Sequence, residues 1–212
     1  MRINEELIKK FAMTGKDSKV TDGLAYGYAL LIIVHGIIIA IFKQSVIFSI
    51  LITLPFLLLF LGLFIYAKKM NSDITNGYNF LILSMGSFCL SITDLFASIT
   101  LSYEKIGNTK FSIMLLFIYL LSFILFYLIF LATISKFNLK PNKKKSIVKP
   151  SIGVAGCVSV IVSVISTQIF INVSQVKLAA FFSFGFLFFA ILWIFPTCLL
   201  IKFIYLKKKK FI

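Results

Sequence analysis

Apolar residues in this chain come in long unbroken stretches, without the alternation of a half-buried strand or the one-sided stripe of a soluble helix. Six stretches stand out, at about 24–42, 45–67, 78–101, 111–135, 151–173 and 178–201. A helix needs about 20 residues to cross roughly 30 Å of hydrocarbon. Each stretch therefore predicts one span, and the expected fold is all-α, an integral membrane bundle of six transmembrane helices.

The third stretch differs from the rest. Ser84, Ser87, Ser91, Asp94 and Ser98 recur in it at steps of three, four, three and four. At 3.6 residues per turn they fall within an arc of roughly 80° and a length of about 21 Å. Leu83, Phe88, Leu90, Leu95 and Ile99 line the other side. Such a helix turns one face away from lipid, and the other spans are expected around it. The fifth stretch carries a second small-residue series, Gly156, Ser159, Ser163 and Ser166, which predicts that it neighbours the third. Small faces let backbones approach closely in lipid. Gly36 and Ala40 make a similar pair in the first stretch. Pro55 is expected to kink the second, and Pro196 lies near the end of the sixth. Phe181, Phe182, Phe184, Phe186, Phe188 and Phe189 surround the sixth helix almost completely, which suits lipid exposure.

Residues 1–23 lack the apolar core and cleavage site of a signal peptide. Ile3, Leu7, Ile8 and Phe11 allow a short amphipathic helix over 3–13 on the membrane surface, or the segment is a polar tail. Thr21 is placed to cap the first span. The longest connection, 136–150, holds six lysines and reads as a solvated loop. Residues 202–212 read as a basic tail.

Composition excludes a soluble domain: 60% of residues are hydrophobic and 14% charged, with a mean hydropathy of +1.03. The net charge of +15 would suggest nucleic acid if it were gathered on a domain, but the lysines lie between spans. With the N-terminus inside, 18 of the 22 lysines and arginines fall in cytoplasmic segments and four in outer ones. That bias predicts cytoplasmic N- and C-termini and contact with the anionic inner leaflet, not nucleic-acid binding. The expected location is a bacterial plasma membrane.

Asp94 is the only acidic residue inside a span. Placing its charge in hydrocarbon costs about 2.5–3.5 kcal/mol on insertion scales, so such a group faces a partner or water. His35 is the only histidine. Both lie about seven residues, roughly 10 Å, below the outer surface, a depth at which they can pair across the bundle. Two readings stay open for Asp94, His35, Ser84, Ser87, Ser91 and Ser98. They form a proton or cation relay, or a binding site opening outward; alternatively, the serines merely satisfy a buried carboxyl.

Catalysis lacks its residues. No G-x-S-x-G serine accompanies the histidine, no second intramembrane aspartate accompanies Asp94, and Cys157 and His35 lie toward opposite faces of the membrane. Cys89 and Cys198 also lie in apolar runs. Phosphate cradles and H-E-x-x-H metal sites are absent. No enzyme activity, cofactor or metal is expected.

Six spans with both ends inside resemble, in topology, the membrane subunits of bacterial ABC exporters and vitamin-uptake systems. The outer loop 174–177 is too short for the exporters' re-entrant segment. The lysine-studded spans, the Lys140-Pro-Asn-Lys-Lys-Lys145 loop and the closing Lys207–Lys210 run resemble small multi-pass membrane proteins of staphylococci and relatives, found beside type VII secretion toxin or bacteriocin genes. That resemblance implies an immunity or accessory membrane protein acting through helix-face contacts on a membrane-active toxin or secretion component. The alternative is a small transporter or solute-binding subunit with an outward-facing site at Asp94 and His35.

Overall fold

A computed structural model of the chain describes residue 9, residues 11–136 and residues 175–209. Among these, regular structure is entirely helical. The expected fifth span and most of the lysine loop before it lie outside the described residues.

Helix α1 spans Asp22–Lys43. Thr21 caps it, its Oγ1 accepting from the Leu24 N–H at 3.4 Å, and Asp22 and Lys43 complement the dipole at its two ends. Gln44, in the left-handed region at φ 54°, ends α1, and Ser45 at once caps α2, Val46–Met70, by accepting from the Phe48 N–H at 3.3 Å. So short a link forces the two helices antiparallel and adjacent. Helix α2 passes through Pro55 as one continuous element. Gly77, at φ 92°, provides the left-handed turn that opens α3, Tyr78–Leu101. A π-helical turn, Ser102–Ile106, extends α3 to Gly107 at φ 67°. Helix α4 is Thr109–Lys136. The last span is two helices, α5 (Gln175–Thr197) and α6 (Leu199–Lys208), divided just after Pro196. Five helical stretches are thus long and apolar enough to cross a membrane.

Helix α3 is the axis of the bundle. It packs against every other described helix, most extensively α5. Of its apolar window 72% is buried, against 28% or less for the other spans. Burial extends beyond the polar stripe, since Leu90 and Leu95 are also enclosed. On one side Tyr28, Ile32, Phe60, Phe64, Ile82 and Leu90 form a core of α1, α2 and α3. On the other, Leu95, Leu115, Tyr119, Leu187, Ala190 and Ile194 join α3, α4 and α5.

Two expectations need correction. Residues 202–208 are not a free tail: the helix continues to Lys208, and Lys202, Phe203 and Leu206 are buried, the last two in a cluster with Ala12, Phe80 and Leu81. The phenylalanines of α5 do not all face outward. Phe181, Phe184 and Phe188 are exposed, but Ala179, Ser183, Leu187, Ala190 and Ile194 form a buried seam between them. Of the proposed surface helix over 3–13, residues 9 and 11–13 are described as helical, and Ala12 is fully buried.

The segment 14–20 folds against the start of α3 and the link before it. Gly77 N–H donates to Lys16 O at 3.0 Å and Val20 N–H to Ile74 O at 3.4 Å, while Asn79 Nδ2 donates to Gly15 O at 2.8 Å. Lys19–Asp73 (2.6 Å) and Lys68–Asp22 (2.7 Å) are ion pairs at this end. At the opposite end Lys43 pairs with Glu104.

Candidate functional site

The α3 stripe is buried along its whole length: Ser84, Ser87, Ser91, Asp94 and Ser98 are each 1% exposed or less. Its hydroxyls divide among the neighbouring helices. Ser87 Oγ shares a hydrogen bond with Tyr28 Oη of α1 at 3.1 Å. Ser91 Oγ donates to Ala190 O of α5 at 2.6 Å and lies 2.8 Å from Tyr119 Oη of α4. Because the Ser91 proton is committed to the carbonyl, the Tyr119 hydroxyl is the donor in that second bond. Ser98 Oγ donates to Ser183 O of α5 at 2.7 Å. Ser84 is the exception; it turns back to Leu81 O of its own helix at 3.0 Å.

At the centre of this row the structure brings Asp94 to His35. Nε2 of the imidazole lies 2.5 Å from Asp94 Oδ1, with side chains 15% and 1% exposed respectively. The other ring nitrogen, Nδ1, lies 2.7 Å from Leu31 O, one turn earlier on α1. A carbonyl only accepts, so Nδ1 carries a proton. Two lone pairs repel at the distance between Nε2 and Oδ1, so a proton lies between them as well. Whichever atom holds it, the pair has no net charge. That satisfies the demand that an intramembrane ion be compensated. Both carboxylate oxygens of Asp94 are buried; Oδ1 is met only by the His35 ring through the ion-pair contact, and Oδ2 has no partner among the described residues.

Local packing fixes the imidazole. Gly36, the next residue, lets α2 come close: a Cβ there would meet Thr53 Oγ1 at 2.9 Å. Ser49 Oγ donates to Gly36 O, joining α1 to α2 at the same level. From α5, Phe186 presents its edge to the imidazole with centroids 6.2 Å apart, and it also contacts Phe42 at 6.1 Å.

Tyr28 and Tyr119 complete the polar row and were not singled out from the sequence. Their positions amid apolar runs were the available signal, because a buried tyrosine hydroxyl requires a partner. Lys202, read as part of a tail, is also buried. Its Nζ donates to Thr14 O at 2.9 Å and lies over the rings of Phe11 (4.1 Å) and Phe80 (4.8 Å). The buried Cys89 and Cys198 are free thiols. Among the described residues no group of three or more His, Cys, Asp or Glu is arranged to hold a metal ion.

No protein-family model matches the chain, and neither a curated protein nor a solved structure matches it.

Proposed function

We propose that the chain is a six-span protein of a bacterial plasma membrane, with both termini cytoplasmic, that works as a small cation-coupled transport component centred on His35 and Asp94. The observation that carries this is the His35–Asp94 pair, enclosed by helices α1, α3 and α5 with one carboxylate oxygen uncommitted. An ionisable pair costs far more to hold inside hydrocarbon than an apolar contact would, and such groups mark ion pathways. Orientation follows from the lysine bias, with the Lys43–Glu104 end outside and the Lys19–Asp73 end inside. In a chain freed of native cysteines, Lys105→Cys should label from outside intact cells, and Lys69→Cys only after permeabilisation. The reverse pattern overturns the orientation.

The function is tested by reconstituting the protein and recording charge movement on jumps of proton, sodium or potassium concentration. A current lost in Asp94→Asn supports the reading; no current with any of the three ions overturns it.

A second reading, an accessory or immunity protein acting through helix faces, is favoured by α2 and α4, each with only 11% of its apolar window buried. Those bare faces suit a membrane-active toxin or a secretion component as well as lipid. The serine stripe is not available to such a partner, since it is spent inside the bundle. Neighbouring genes for a toxin or secretion apparatus support this reading, whereas a gene for an ATPase supports transport.

A further inference from the structure

We propose that the species handled at the His35–Asp94 pair is a single proton, and that the buried arrangement is its loaded state. This rests on the transport reading above and adds the identity of the ion. With Nδ1 committed to Leu31 O at 2.7 Å, the exchangeable position is the one between Nε2 and Asp94 Oδ1, 2.5 Å apart. Loaded, the pair is neutral and tolerates full burial. Unloading returns one proton to water and leaves an Nδ1–H imidazole beside a bare carboxylate. The product bears one negative charge, equal and opposite to the proton released, so atoms and charge balance. A net charge at a side chain 1% exposed is strongly disfavoured in hydrocarbon. Release is thereby coupled to opening, and closure to reloading. Of the two side chains the imidazole is the less covered, 15% exposed against 1% for Asp94.

The surroundings favour a proton over a larger cation. Hard cations such as calcium and magnesium take six or more oxygens, whereas this pair has one uncommitted oxygen, Oδ2. Even counting the flanking oxygens of Ser91, which donates to Ala190 O and accepts from Tyr119, and of Ser98, which donates to Ser183 O, the described oxygens around the pair fall short of six. Among the described residues few other charges bear on the pair. On α4 the nearest titratable group is Tyr119, held by Ser91. The only titratable residue of α5, Lys177, lies in its first turn, and those of α2 (Tyr66, Lys68 and Lys69) lie near its far end. On α3 itself Cys89 and Tyr78 lie toward the inner end; on α1 Tyr28 bonds Ser87 and Lys43 bonds Glu104 at the outer mouth.

The test uses the full chain in vesicles of phosphatidylcholine and phosphatidylglycerol enclosing a pH-sensitive dye, under a potassium-diffusion potential negative inside. Wild type should acidify the lumen, and Asp94→Asn should fall to the rate of protein-free vesicles. Undiminished uptake in that variant overturns the proposal. Sodium or potassium movement without proton uptake also overturns it while leaving the transport reading intact; no movement of any ion removes both. Because His35 is the only histidine, ¹⁵N-histidine labelling of the wild-type protein in nanodiscs gives a second measure that needs no variant. Nδ1 should remain protonated while the Nε2 resonance shifts over the pH range in which uptake changes, because Nε2 loses either its own proton or the hydrogen bond from the Asp94 carboxyl. Titration at Nδ1 instead, or an imidazole indifferent to pH across that range, overturns the assignment.

Discussion

Replacing Gly86 with alanine should destabilise the bundle although it improves the helix. A Cβ at this position would lie 2.7 Å from Cγ of Tyr28 and 2.8 and 2.9 Å from the two Cδ atoms. Those atoms are the root of the ring, so a small rotation of χ2 cannot relieve the contact. Nor can the ring swing away: Tyr28 is 1% exposed, lies 5.7 Å from the ring of Phe60 and 5.9 Å from that of Trp193, and is bonded through its hydroxyl to Ser87. Overpacking of this kind costs about 1–3 kcal/mol, and the fixed ring puts Gly86 at the upper end. Replacing a mid-helix glycine returns about 0.5–1 kcal/mol. The net loss should be about 2 kcal/mol. Gly62, on α2, is the internal control: a Cβ there meets nothing within 4 Å, so Gly62→Ala should gain up to about 1 kcal/mol. Unfolding by sodium dodecyl sulfate in mixed micelles can be followed through Trp193, the sole tryptophan, which sits against Tyr28. If Gly86→Ala proves as stable as Gly62→Ala, the close α1–α3 approach is wrong. Adding Gly86→Ala to Tyr28→Ala should cost much less than it does alone, because the obstructing ring is gone.

Ser91→Ala removes the acceptor of the Tyr119 hydroxyl and the donor to Ala190 O; interhelical bonds in membranes average about 0.6 kcal/mol, so a loss of about 1 kcal/mol is expected in the same assay, and no change would show that the α3–α5 contact does not depend on it. Lys202→Met keeps the aliphatic stem but removes the bond to Thr14 O, so trypsin should cut faster after Lys16 and Lys19; an unchanged cleavage rate would mean that Lys202 does not hold the N-terminal segment.

Long apolar runs made the five described spans legible, and the third starts at Tyr78 as expected because Gly77 sets the turn before it, but its π-helical turn carries the helix on to Ile106, past the expected end at 101. The 3.6-residue period also marked the buried side of α3, and the shared depth of His35 and Asp94 pointed to their contact. What answers the stripe was hidden. Ser91 and Ser98 donate to main-chain carbonyls of Ala190 and Ser183, and a carbonyl leaves no trace in side-chain identity. The seam of Ala179, Ser183, Leu187, Ala190 and Ile194 does repeat at helical spacing, but the phenylalanines between those positions masked it. Lys202 was misplaced for a related reason: positive charge reads as solvent-facing until carbonyls and rings fold over it.

The wiring of α3 also orders events during synthesis. When α3 emerges, α1 has already been made, so His35 can neutralise Asp94 and Tyr28 can meet Ser87 at once. The acceptors for Ser98 and Ser91 lie 85 and 99 residues further along. At about 5–20 residues per second, the ribosome needs roughly 4–20 s to deliver them. Throughout that interval the nascent chain holds a compensated carboxyl but a half-finished seam.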